Sequence, residues 1–243
     1  MMKQKEKHSA FTLIELLTVI AVIGVLAAIL IPALGAVKDQ TNVSKSSSNL
    51  RQMGVAFNLY ANENNNKFPP INDTSVGSFG QVWFVSLMPY LLDQNKAASE
   101  MSSGDLSKSF ADVYRCPVYQ TWWEDTYPNA TGGDWNQLGY GMSYTMIYDN
   151  GWPWYNSDTG QGDAQNYAAP RYKIKKPAHT IMLGPNERWN LNLQSSVLEG
   201  YTSVDHGIKR ARRHGDFALY LMADGSVQSL DATPEALLPY VVD

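Results

Sequence analysis

The sequence has a single cysteine, Cys116, among 243 residues. One cysteine excludes a disulfide framework within the chain. Set in Arg115-Cys116-Pro117, it is expected to be buried. Histidine is nearly as scarce, with four. His8 lies close to the start, and His179 and His206 have no cysteine or histidine at ligand spacing. No zinc pattern, phosphate loop or local nucleophile–histidine–acid set is visible. An enzyme is not the expected reading, and no cofactor is expected. Charge is sparse too: 17 % of residues are charged and the net charge is −4. A surplus of acid argues against a nucleic-acid binder.

What the chain does have is a long apolar run. Residues 11–31 carry one charge, Glu15, and only Thr12, Thr18 and Gly24 interrupt the apolar side chains. A helix needs about 20 apolar residues, at roughly 1.5 Å each, to cross a bilayer core. This run is that long. Lys3, Lys5 and Lys7 precede it, with Glu6 the one acid among them. Positive charge there holds the N-terminus in the cytoplasm and sends the body of the chain across. A cleaved secretory signal has a shorter apolar region and small residues after it. Here the small residue, Ala10, stands before the run. A plain anchor explains the length but not Glu15. A carboxylate costs about 2.5–3.5 kcal/mol at the membrane centre, less near the interface, and by default has a functional partner.

The stretch Ala10-Phe11-Thr12-Leu13-Ile14-Glu15-Leu16-Leu17 resembles the type IV pilin and pseudopilin signal. That signal is a short basic leader, a small residue, then Phe-Thr-Leu-x-Glu and a hydrophobic helix. Ala10 departs from the commoner glycine. The resemblance implies cleavage between Ala10 and Phe11 by a prepilin peptidase, and N-methylation of Phe11. It also implies that Glu15 pairs with the terminal amine of a neighbouring subunit during assembly. Removing the leader, with three Lys and one Glu, takes +2 from the net −4 and leaves −6.

Four regions are expected: a leader at 1–10, a membrane and assembly helix at 11–32, its amphipathic continuation at 33–66, and a head at 67–243. Gly24 and Pro32 weaken the helix ladder, and a kink is expected at Pro32. Val43, Leu50, Met53, Phe57 and Tyr60 recur at helical spacing, the face on which the head packs. Asn62 to Asn66 and Phe68-Pro69-Pro70 stop the helix. In the head, 83–92 reads as a helix broken near Pro89. Residues 95–109 and 114–172 read mostly as loops, with a strand around 142–147 and another at 180–183. Residues 217–223 are apolar on both faces and predict a buried strand. Asp224-Gly225 predicts a two-residue turn into a partner strand at 227–230. Thr233-Pro234 predicts the start of a terminal helix.

His214, nine residues, then Asp224-Gly225 resembles the C-terminal signature of a large pilin-like family of Planctomycetes, Verrucomicrobia and Lentisphaerae. Asn49-Leu50-Arg51-Gln52-Met53-Gly54 and Arg115-Cys116-Pro117 are similar to other patterns of that family. Ser48 and Ser226 depart from its commoner Cys and His. A shared metal is not expected at the signature. Ten residues of extended strand place His214 about 33 Å from Asp224, at ~3.3 Å per residue.

Trp122, Trp123, Trp135, Trp152 and Trp154 crowd one loop-rich region. They read as loop-region core, or as an aromatic platform for a glycan or protein. Lys209, Arg210, Arg212 and Arg213 read as a solvated basic run. Acidic loops between Asp149 and Asp163 lack the spacing of an EF-hand, which leaves Ca²⁺ there only a weak candidate. The expected fold is α+β and pilin-like, a long N-terminal helix packed on a small loop-rich head with an antiparallel sheet. The expected role is a structural subunit of a pilus-like or secretion-like filament. Its expected partners are the peptidase, other subunits and inner-membrane lipid, with the head periplasmic. The alternative is a membrane-tethered binding module using the tryptophan-rich loops.

Overall fold

The structure, a computed structural model, describes residues 13–73, 81–91, 112–119, 139–143, 168–185, 190–191, 214, 217–231, 237 and 240. Two compact units divide the chain, Met1–Thr41 and Asn42–Asp243. Helix α1, Leu13–Glu63, contributes to both. It runs uninterrupted through Pro32.

In the second unit, α1 buries one stripe. Leu50, Met53 and Phe57 are wholly buried, and Val43 and Tyr60 pack partly buried beside them. This is the face that the spacing predicts. Burial of each large side chain contributes about 1.5–3 kcal/mol. The helix ends where the asparagines begin. Asn65 and Asn66 adopt φ of 54° and 60°, a left-handed conformation that asparagine tolerates. The Asn66 N–H returns to the Ala61 carbonyl at 2.8 Å, which closes the last turn as a Schellman motif does.

Beyond the helix, strands β1 (Asn72–Asp73) and β2 (Gln81–Val82) pair antiparallel. Helix α2, Trp83–Leu91, follows directly. Pro89 does not break it, since it stands in the last turn, where only one ladder bond is lost. Trp83 stacks on Phe57 at 5.8 Å and meets Phe84 and Tyr114 edge-on. The Tyr114 hydroxyl donates to the Phe84 carbonyl at 2.8 Å. Burial pushes that phenol well above its ordinary pKa. Tyr114→Phe is therefore expected to destabilise the head by about 1–3 kcal/mol, because a buried carbonyl loses its donor. A chemical denaturation midpoint equal to wild type would contradict this.

The Tyr90 hydroxyl, on α2, donates to Glu63 at the end of α1. Its pKa is pushed up to about 12, by burial first and then by the hydrogen bond and charge of Glu63. Because the folded value is raised, this contribution is full below pH 10.0 and fades as pH rises towards 12.

The main sheet has five strands in the order β5-β3-β4-β6-β7. They are β3 (Tyr140–Ser143), β4 (Ile181–Pro185), β5 (Asn190–Leu191), β6 (Phe217–Met222) and β7 (Val227–Asp231). Four are antiparallel, as expected, and the two-residue β5 adds to β3 in parallel at one edge. Strand β6 alternates as a strand buried on both faces must. Leu219 and Leu221 join the core against α1, while Ala218, Tyr220 and Met222 pack with Ile181 and Leu237 in a second cluster. The strand expected around 142–147 begins earlier, at Tyr140. The terminal helix expected from Thr233-Pro234 lies outside the described residues.

Candidate assembly site

The N-terminal unit carries the first candidate site. Every large apolar side chain described from Leu13 to Val37 is exposed, from 49 % at Val19 to 79 % at Leu13. A helix apolar on all sides needs a partner or a membrane around it. This is the one helix among the described residues long and apolar enough to cross a bilayer, with a mean hydropathy of 2.8 in its most apolar window. The Thr18 hydroxyl donates back to the Glu15 carbonyl at 3.0 Å and Thr41 to the Val37 carbonyl at 2.8 Å. At Thr18, inside the apolar run, such back-bonding suits a hydroxyl that has no water to bond. Glu15 sits in the first turn, where a carboxylate also complements the helix dipole. Ala10 and Phe11 lie outside the described residues.

The second site is the C-terminal hairpin, and its geometry corrects the expected turn. The Gly225 N–H donates to the Met222 carbonyl at 2.9 Å, and the Met222 N–H donates to Ser226 at 2.8 Å. Among the described residues, Gly225 has φ of +88° while Asp224 is not left-handed. The loop is thus three residues, Ala223-Asp224-Gly225, the kind that ends in a left-handed glycine, and not a two-residue type I′ turn. Asp224 favours it by accepting the Ser226 N–H on Oδ1 at 2.8 Å, an Asx turn that needs no positive φ at the aspartate.

His214 and Asp224 stand at opposite ends of β6. His214 stacks on Phe217 at 5.8 Å. Among the described residues, no group of three or more His, Cys, Asp or Glu is placed to hold a metal. The stretch between Asp149 and Asp163, the basic run at 209–213, and Trp122, Trp123, Trp135, Trp152 and Trp154 lie outside the described residues.

The structure also joins motifs that the sequence presents separately. Asn49 donates from Nδ2 to the Arg115 carbonyl at 3.1 Å. Cys116 is buried, with its sulfur 3.9 Å from the Ser46 hydroxyl. One turn further along α1, Gly54 faces the hairpin. A Cβ there would stand 3.0 Å from Leu221 Cδ1 and 3.6 Å from the Gly225 carbonyl. Asn58 donates to the Gly54 carbonyl at 2.9 Å, and its Nδ2 lies 3.5 Å from where a Cβ on Gly225 would be. The hairpin tip thus rests on α1 glycine against glycine. Asn58 was not legible as part of this contact, since its partner is more than 160 residues away in sequence. A glycine in the middle of a helix, at Gly54, was the available signal.

Residues 6–31 match the family model described as the prokaryotic N-terminal methylation motif. The match includes Ala10, Phe11 and Glu15. The chain is similar to the type II secretion system core protein G of Pseudomonas aeruginosa, 31 % identical over 61 residues. It is also similar to the protein of that name from Aeromonas hydrophila, 34 % identical over 62 residues. These alignments take in 25 % and 26 % of this chain and 43 % of each relative, so the chain spans under half the length of the curated proteins it matches. No solved structure matches it. The chain carries an N-terminal methylation motif on a long apolar helix, followed by a pilin-like α+β head.

Proposed function

We propose that this protein is a structural subunit of a pilin or pseudopilin filament, without enzymatic activity. The observation that carries the reading is the first part of α1, residues 13–37, whose described large apolar side chains are all exposed and which carries no charge but Glu15. Its methylation-motif match and its likeness to type II secretion core proteins support the same reading. The helix first sits in the inner membrane, with the basic N-terminus in the cytoplasm and the head outside. A prepilin peptidase cuts between Ala10 and Phe11 and the new terminus is methylated. Helices of successive subunits then leave the lipid and pack together, which exchanges lipid contacts for side-chain packing. Glu15 offsets the positive charge of a neighbour's Phe11 amine. The test is expression of the full chain with a prepilin peptidase and an assembly ATPase, followed by electron microscopy of sheared surface material. Filaments that contain this chain are expected. A chain that is cleaved yet stays entirely in the membrane fraction would contradict the proposal.

A further inference from the structure

One face of the main sheet turns away from α1, and it is apolar. Leu219 and Leu221 of β6 join the core against α1, while Ala218, Tyr220 and Met222 of the same strand pack on the other face, beside Ile181 of β4. An antiparallel sheet commonly gives one face to water and lines it with polar side chains. Here that face is closed instead. Ile181, Ala218 and Met222 are wholly buried and Tyr220 nearly so.

Among the described residues of this cluster, Leu237 and Tyr240 are the two that do not lie on a strand, so they supply its cover. Leu237 is 5 % exposed. Tyr240 is partly buried, and its ring stacks on His179 at 6.0 Å with 16° between the planes. His179 is a firm seat. It ends the 3₁₀ turn Pro177–His179, which the C-terminal hairpin fastens. The Asp224 N–H donates to the Pro177 carbonyl at 3.3 Å, and Gln228 Nε2 donates to the Ala178 carbonyl at 2.8 Å.

The cover is attached differently from the rest of the head. Among the described residues, no hydrogen bond or ion pair ties Leu237 or Tyr240 to the sheet; apolar packing and one ring stack hold them. Lifting them off breaks no rung of the ladder, since β6 pairs with β4 and β7 through its own backbone. The opposite face is interlocked, with Leu50, Met53 and Phe57 of α1, Trp83 of α2 and Leu221 of β6 in one cluster. A part with few buried apolar contacts opens at lower free energy than the whole. We propose that Leu237 and Tyr240 form a flap that opens on its own, while the head stays folded, and bares the outer apolar face of the sheet. His179 is the catch that holds it shut.

Native methionines test this, because the sheet carries them on both faces. Met222 belongs to the flap's cluster, whereas Met182 of β4 and Met53 of α1 belong to the other, and all three are wholly buried. The full chain in detergent micelles is treated with hydrogen peroxide, which transfers one oxygen to an accessible thioether and leaves water. The sulfoxides are located by peptide mass. Met222 is expected to oxidise at least about tenfold faster than Met182 and Met53, yet more slowly than free methionine in the same tube. Tyr240→Ala is expected to speed Met222 about two- to tenfold, the worth of a ring stack. Leu237→Ala is expected to speed it at least about tenfold. Met182 is expected to be unchanged in both. Equal rates at Met222 and Met182 in the wild type would overturn the flap, since the face would then open only with the whole head. Oxidation of Met222 at the rate of free methionine would overturn the cover itself. An unchanged Met222 in both folded variants would overturn the part given to Leu237 and Tyr240. If a variant misfolds, seen as faster oxidation of Met53, the wild-type comparison still decides.

Discussion

Glu15→Gln is expected to leave membrane insertion, cleavage and head folding unchanged and to reduce filaments to few or none. Glutamine keeps the shape and removes the charge. Glu15 is exposed in the first turn of α1 and is the one charge in the apolar stretch. Four residues earlier, cleavage would place the positive amine of Phe11. Opposite charges attract far more in low dielectric than in water, though desolvation offsets much of the gain. A contact within one helix would leave assembly indifferent to the substitution. A contact between subunits fixes the axial stagger of each new subunit, so its loss leaves the acid-free helix in lipid, where it is already comfortable. Cell fractionation and electron microscopy of both proteins check this. Wild-type filament levels from the variant would show the charge to be dispensable.

Gly225→Val is expected to lower head stability by about 1–3 kcal/mol, the cost of forcing a β-branched residue to positive φ. For a chain of this size that is roughly 2–4 °C in Tm per kcal/mol. The strain is at φ +88°, whereas the space for a Cβ, 3.5 Å from Asn58 Nδ2, is ordinary contact. Strain rather than crowding is therefore the cause, and Gly225→Asn, which tolerates that conformation, is expected to cost less. The opposite balance holds at Gly54. There a Cβ at 3.0 Å from the buried Leu221 overpacks the core, while the helix itself would gain about 1 kcal/mol from alanine. Thermal melts of the full chain in detergent, followed by near-ultraviolet circular dichroism, check the order. Equal melting of Gly225→Val and wild type would refute the left-handed turn.

The parts of the fold that were legible in the sequence are those with a local period. Leu50, Met53 and Phe57 repeat at helical spacing and are buried together. Residues 217–222 are apolar on both faces and lie between two clusters. The hairpin was legible as a hairpin, but Asp-Gly is compatible with two loop lengths. The choice between them came from the Asx bond to Ser226 and from the turn's hydrogen bonds to residues 177 and 180. Strand β5, with two residues, has no period to read. The contact of Gly54 with Gly225 depends on partners far away in sequence. The methylation motif at residues 6–31 was legible because it is a local sequence pattern that needs no distant partner to be read.

Mass spectrometry of the protein isolated from cells that contain a prepilin peptidase tests the central claim most directly. The account predicts a chain that begins at Phe11 with a methylated amine and lacks the ten leader residues. An intact chain beginning at Met1 in those cells would contradict it.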